Sequence, residues 1–190
     1  MIVRCKYNIG SQIADVFIGY TNIDEKIPII IDKEYIVYAL TEFYNNIWYC
    51  IFDESSTSFP MWTPSQFFEL TNNRLSQYWV FSLKKDTLSR DQNSVGRVFF
   101  GFSEWANELG FYDKLADGEE REVSIFKDYK TLMDLEFPYP SITESAQIGD
   151  EQWLICPTCM DAWDSPGDKD GMVICPKCKN VFHNPRYKNI

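Results

Sequence analysis

Hydrophobic residues between residues 28 and 83 fall in short runs that are rich in β-branched and aromatic side chains and are separated by polar segments, which predicts β-strands. Asn45-Asn46 predicts a turn, and Pro64 predicts a single helical turn within residues 64–70. Short strands with short connections are typical of a small antiparallel β-barrel. The predicted extended segments are 28–31, 34–40, 47–52, 59–62 and 75–81.

The pattern changes after residue 84. A polar loop is predicted up to Gly96, then a strand at 97–100 and a helix that begins at Ser103 and ends between Leu109 and Leu115. Asp117 is a candidate N-cap of a second helix, whose apolar residues recur at helical spacing until 137–140. The predicted fold class is α+β: a small antiparallel β-barrel packed with about two helices, followed by a C-terminal zinc ribbon.

Two closely spaced cysteine pairs predict the ribbon. The pairs are Cys156-Pro157-Thr158-Cys159 and Cys175-Pro176-Lys177-Cys178, with fifteen residues between them. This spacing is typical of zinc sites, because each Cys-Pro-x-Cys turn points two sulfurs in one direction and two such turns complete a tetrahedral cage. The alternatives are two disulfides, which need an oxidising compartment, and a redox Cys-x-x-Cys, which normally occurs once.

Both cysteine turns resemble those of the zinc-ribbon and rubredoxin-like family over residues 152–185. The family usually has glycine after the second cysteine of each turn, where this chain has Met160 and Lys179. The resemblance implies one structural Zn²⁺ held by Cys156, Cys159, Cys175 and Cys178, and the missing glycines argue against the iron form. The apolar layer around the metal is expected to contain Trp153, Trp163, Val173 and Phe182.

The three remaining candidates for metal or thiol chemistry are single residues. His183 is the only histidine, and with four cysteines available it is expected to lie outside the ligand shell. Cys5 and Cys50 occur in strand-like segments and are expected to be buried, reduced thiols.

Composition and charge restrict the function further. Hydrophobic residues make up 45% of the 190 residues, which is enough for a core. The last forty residues carry five basic and five acidic residues, so the net charge of −10 arises entirely from residues 1–150. An acidic body repels phosphate backbones and anionic lipid and suits a basic protein partner.

No apolar run reaches the length of a membrane helix, and no signal peptide is evident, so a cytoplasmic protein is expected. The predicted plan is an acidic barrel-plus-helix domain (1–140), a linker (141–151) and the ribbon (152–190).

The strand order in the first part resembles Src-homology-type small barrels. The resemblance rests on Tyr49–Glu54, Pro60–Pro64 and Phe67–Leu70, where a strand, a polar loop, a short strand with proline and a helical turn follow one another. Such barrels often bind peptides on exposed aromatic residues. Trp48, Tyr49 and Trp62 are therefore candidates for a peptide contact, or else they pack the barrel.

Three functional hypotheses follow. The favoured one is a non-catalytic, zinc-binding interaction protein, one version being a bacterial immunity-type protein that neutralises a basic toxin. The second is a nucleic-acid-associated ribbon with the basic and aromatic residues Lys177, Lys179, Phe182, Arg186, Tyr187 and Lys188. The third is an enzyme of unrecognised type. The single histidine and the absence of phosphate-binding glycine motifs argue against it, and no residue is predicted to be catalytic.

Overall fold

The computed structural model of the protein describes residues 1–13, 24, 26–43, 45–53, 59–84, 96–138 and 142–188. The chain divides into two compact units, residues 1–129 and 130–190, and the boundary falls within the longest helix. Because this division follows packing and not independent folding, the predicted domain limits at residues 140 and 152 stay a prediction.

The first unit contains eight strands and two short helices among its described residues. The strands are β1 (Ile2–Cys5), β2 (Glu34–Ile36), β3 (Ala39–Phe43), β4 (Asn46–Ile51), β5 (Met61–Pro64), β6 (Phe68–Asn72), β7 (Val80–Lys84) and β8 (Arg97–Gly101). The helices are α1 (Ser103–Asn107) and α2 (Phe111–Ala116), and α3 (Glu120–Glu136) runs on into the second unit. Three-residue 3₁₀ turns lie at Gly10–Gln12 and Ser65–Phe67.

The strands of the first unit form two antiparallel sheets. One has the order β2-β1-β6 and the other the order β5-β4-β3-β8-β7. The fold is therefore α+β and rich in antiparallel sheet, as predicted. The hydrogen-bonded pairs among the described residues leave both sheets open, so the closed barrel stays a prediction.

Two apolar layers stabilise the first unit. A core cluster contains Val3, Cys5, Ile51 and Phe67, each no more than 1% exposed. An aromatic layer lies between the five-stranded sheet and the helices. In it Trp105 contacts the rings of Trp62 and Phe99, and Phe102 stacks on Tyr129 at 4.2 Å between ring centroids.

Several predicted elements of this unit are corrected. Residues 28–31 do not form a strand; Ile30 and Ile31 are exposed, and Tyr35 Oη accepts a hydrogen bond from the Ile30 backbone N–H. The strand predicted at 75–81 begins five residues later, at Val80. Asp117 does not begin the long helix but ends α2, because Gly118 adopts φ +79° between the two helices. Most of the polar loop predicted at 84–96 lies outside the described residues.

The second unit contains five short strands besides the end of α3. They are β9 (Gln147–Ile148), β10 (Trp153–Ile155), β11 (Ala162–Asp164), β12 (Met172–Ile174) and β13 (Val181–His183). They form a sheet of order β11-β10-β9 and a hairpin of β12 and β13. Part of the predicted linker is thus structured: β9 pairs with β10, and Ala146 is buried.

Candidate metal centre

Two hairpins carry the four cysteines of the candidate site. β10 and β11 flank the turn that holds Cys156 and Cys159, and β12 and β13 flank the turn that holds Cys175 and Cys178. In each turn a backbone N–H closes the loop onto the first cysteine: Met160 donates to the Cys156 carbonyl, and Lys179 to the Cys175 carbonyl, both at 3.0 Å. The two hairpins thus share one turn geometry, and each presents a pair of sulfurs.

Met160 and Lys179 close these turns in the left-handed conformation, with φ +58° and +63°. This region favours glycine, and a residue with a Cβ adopts it at a cost. The positions at which the chain lacks the glycines of the zinc-ribbon and rubredoxin-like family are therefore also positions of backbone strain. The chain keeps the turn geometry in spite of its side chains.

The four sulfurs converge on one point. All four Sγ atoms lie within 4.8 Å of one another. Cys156 and Cys178 are 3.6 Å apart, as are Cys159 and Cys175. A tetrahedral zinc site with Zn–S bonds of about 2.3 Å has S···S edges of about 3.8 Å. The spacing therefore fits a metal cage.

The same distances exclude the disulfide alternative for these cysteines. A disulfide bond is about 2.05 Å long, and all six cysteines are free. Cys5 and Cys50 are buried, as predicted, and lie outside the four-cysteine cluster. Desolvation raises the pKa of Cys5 to about 11 and that of Cys50 well above its usual value, so both thiols are protonated at neutral pH.

Cys156 and Cys178 have pKa values displaced in opposite directions. At Cys156 desolvation raises the pKa, but hydrogen bonds from the backbone of Cys159 and Thr158 and from neighbouring thiols outweigh it and bring the pKa to about 6. At Cys178 the backbone of Asn180 lowers the pKa, while desolvation and the three neighbouring sulfurs raise it to about 12. The Cys156 thiolate therefore forms readily, whereas the neighbouring sulfurs oppose ionisation of Cys178. A divalent cation would remove that opposition.

A small apolar core supports the cluster, and it corrects one predicted side chain. Leu154, Val173 and Phe182 are buried together with Cys156 and Cys175, and Trp163 packs partly against them. Trp153, expected in this layer, is 42% exposed. Side chains alternate along a strand, so the inward direction of Cys156 and Leu154 turns Trp153 outward.

His183 lies outside the cluster, as expected. Its Nε2 forms a hydrogen bond with the backbone carbonyl of Ile142, and its backbone N–H donates to the carbonyl of Glu144 at 2.9 Å. The histidine therefore attaches residues 142–146 to β13.

The basic and aromatic patch predicted at the C-terminus is partly neutralised. Lys177 pairs with Asp161 at 3.8 Å and Lys188 with Asp168 at 3.6 Å. Phe182 is 1% exposed and cannot stack on a base. Of the two aromatic residues in the patch, only Tyr187 is partly accessible.

The candidate aromatic residues of the first unit are packed, and two of them line a small pocket. Trp48 is buried, and Tyr49 packs against the core. Trp48 and Trp62 line a pocket of about 180 Å³ together with Thr41, Phe43 and Arg97. The Trp48 Nε1–H is buried without an acceptor.

Sequence reasoning missed three residues of this pocket. Thr41 pairs with Trp48 across the β3–β4 hairpin, so the turn at Asn45 contained enough information to place Thr41 and Phe43 beside Trp48. Arg97 carries no such local signal, because β8 reaches β3 through a pairing between residues far apart in the chain.

Comparison with known proteins assigns the chain to no family, because no protein-family model, curated protein or solved structure gives a significant match. Among the described residues, no helix combines the length and the hydropathy needed to cross a membrane.

Proposed function

We propose that residues 152–190 form a zinc ribbon that holds one structural Zn²⁺ through Cys156, Cys159, Cys175 and Cys178, within a non-catalytic protein that binds a protein partner. The observation that carries the metal proposal is the convergence of the four sulfurs within 4.8 Å. Soft thiolate ligands in a tetrahedral arrangement favour zinc or iron. The side chains at Met160 and Lys179 favour zinc, because they depart from the glycines that rubredoxin-like iron sites usually have at these positions.

Four thiolates leave no open coordination position, so the metal would stabilise the fold and not activate a substrate. The second unit has a small apolar core, which includes Leu154, Val173 and Phe182. Small domains of this size usually need a metal or a disulfide to fold. Zinc would supply most of the free energy that orders the two hairpins.

Elemental analysis of the purified full-length chain tests the metal. We expect one zinc per chain and substoichiometric iron. A folded ribbon without bound metal, seen as dispersed amide signals from β10 to β13 after treatment with a chelator, would contradict the proposal.

The partner is proposed to be a basic protein. The net charge of −10 arises from residues 1–150, which favours association with cations. A bacterial immunity-type protein that covers a basic toxin is one version of this function.

The pocket beside Trp48 and Trp62 is the proposed contact for an extended segment of the partner. Its lining contains the rings of Phe43, Trp48 and Trp62, against which an apolar side chain of the partner would pack. In support of a Src-homology-type barrel, β5 ends at Pro64, a 3₁₀ turn follows, and β6 returns to pair with β1.

Co-purification from the native host tests the interaction. The untagged protein should retain a basic partner that dissociates at high salt, and Trp62→Ala should weaken its retention. Trp153→Ala, which removes an exposed tryptophan from the other unit, is the matched control. Equal retention by both variants would refute the pocket, and retention of nucleic acid in place of protein would refute the partner class.

Nucleic-acid binding by the ribbon is the second candidate. Lys179 and Arg186 favour it, whereas the ion pairs of Lys177 and Lys188 oppose it. A salt-dependent shift of a short oligonucleotide that is lost when these four residues become alanine would establish it.

A further inference from the structure

A cavity in the second unit lies outside the four-cysteine cluster. It has a volume of about 840 Å³ and is formed by three loops, at residues 148–152, 164–168 and 185–188. We call it the Arg186 cleft. Its size falls within the range of binding sites for small ligands and short peptides.

Hydrogen bonds tie the walls of the cleft together. Asn184, which is buried, donates through Nδ2 to the carbonyls of Gly167 at 2.9 Å and Asp170 at 2.8 Å. The Ser165 backbone N–H donates to the carbonyl of Gln152 at 2.8 Å. The three loops are therefore held in place before any ligand arrives, which lowers the entropic cost of binding.

Arg186 is fixed at this cleft with unused hydrogen-bonding capacity. Its Nη2 donates to the carbonyl of Asp150, and its backbone N–H donates to Asn184 Oδ1 at 3.0 Å. Its Nε–H is buried without an acceptor. Nη1 has no hydrogen-bond partner among the described residues and is not among the buried donors. It is therefore the donor left for a ligand, and a guanidinium prefers a planar carboxylate.

Acidic residues share the cleft with this cation. Glu151, Asp164 and Asp168 also line it, and Lys188 pairs with Asp168 at 3.6 Å. Among the described residues, Glu151 and Asp164 have no ion-pair partner. Such a lining repels a polyanion and attracts a cationic group placed beside Glu151 and Asp164.

From this arrangement we infer that the Arg186 cleft binds a short peptide segment in which a carboxylate lies next to a basic side chain. The carboxylate pairs with Arg186, and the basic group pairs with Glu151 and Asp164. This inference rests on the proposed protein-interaction function and names a second contact for the partner. It agrees with the expected basic partner, whose cations the two acidic residues would receive.

Peptide titration followed by amide NMR shifts tests the inference on the full-length chain with one equivalent of Zn²⁺. The probe is the acetylated and amidated peptide Ala-Ala-Lys-Asp-Ala-Ala. Its three relatives replace Lys by Gln, Asp by Asn, or both. We expect the peptide that carries both Lys and Asp to shift the amide signals of Gly167 and Arg186. It should bind about fivefold more tightly than each of the three substituted peptides.

Variants of the protein test which residues of the cleft bind the two charged side chains of the peptide. Arg186→Gln should abolish the preference for Asp over Asn in the peptide, and the double variant Glu151→Gln/Asp164→Asn should abolish the preference for Lys over Gln. Lys177→Gln, which removes a cation outside the cleft, should leave both preferences intact. If Arg186→Gln does not fold, Arg186→Lys keeps the charge and should weaken the preference for Asp.

Equal binding of all four peptides, no shifts at millimolar peptide, or stronger shifts with a short oligothymidylate would each overturn the inference. Each of these results would leave the measured zinc content unchanged, so the cleft can be refuted while the zinc site stands. A partner that is retained equally by the wild type and Arg186→Gln would refute the cleft while the interaction itself stood.

Discussion

Replacing Cys178 by serine is the sharpest test of the metal centre. Cys178 is partly exposed, whereas Cys156 is fully buried. A serine at position 178 can therefore keep its hydroxyl hydrated, and the variant measures the loss of a ligand more directly than a buried hydroxyl at position 156 would. The change also removes one of the two 3.6 Å sulfur contacts.

The expected loss follows from the number of ligands. Structural zinc binding in small peptides is worth about 10–16 kcal/mol at pH 7. An even share among four sulfurs is about 2.5–4 kcal/mol for each, which weakens zinc binding by about 100- to 1,000-fold. Competition between the full-length chain and a chelator of known zinc affinity measures this change.

Cys50→Ala is the matched control. Cys50 is fully buried in the first unit and lies outside the cluster. Its substitution should leave zinc affinity unchanged, although it creates a small cavity in the first unit. Wild-type zinc affinity in Cys178→Ser, or an equal loss in Cys50→Ala, would refute the four-thiolate site.

Three further predictions concern stability. Leu154→Ala should lower the free energy of unfolding of the second unit by about 2–5 kcal/mol, whereas Trp153→Ala, at an exposed position, should cost little; equal losses in thermal unfolding would contradict the assignment of their faces. Lys179→Gly should stabilise the second unit against chelator by about 1 kcal/mol because it relieves a positive φ, and Lys177→Gly, in the same turn, should not. Desolvation raises the pKa of Tyr35 to about 12. The folded state therefore holds this proton more tightly than the unfolded state, and stability present below pH about 10 should be lost as the pH rises towards 12. Tyr35→Phe should flatten that loss in alkaline denaturation, and an unchanged profile would exclude Tyr35 as its cause.

Local signals predicted local structure well. The two Cys-Pro-x-Cys turns located the sulfurs because each pair is set by four consecutive residues, and the turn at Asn45, with φ +59°, joined β3 to β4 as expected. Pro64 likewise preceded a 3₁₀ turn. Such features depend on the conformational preferences of one to four residues.

The errors arose where tertiary context decides. Ile29-Ile30-Ile31 has high β-propensity, yet only Ile29 is buried and the backbone turns at Asp32 with φ +65°. Trp153 is larger than Leu154 and offers more surface to bury, but the direction of Cys156 fixes which of them faces inward. The cleft at Arg186 had no sequence signal, because three separate loops form it and Asn184 joins them only in the folded chain.

The central position of β1 in its sheet affects how the chain can fold during synthesis. Ile2 accepts a hydrogen bond from Thr71, a residue 69 positions later. At a ribosomal rate of about 5–20 residues per second, β1 waits about 3–14 s for its second neighbour β6 to be made. Until then one edge of an apolar amino-terminal strand is open to other chains, and chaperones that bind nascent chains would have most to protect during this interval.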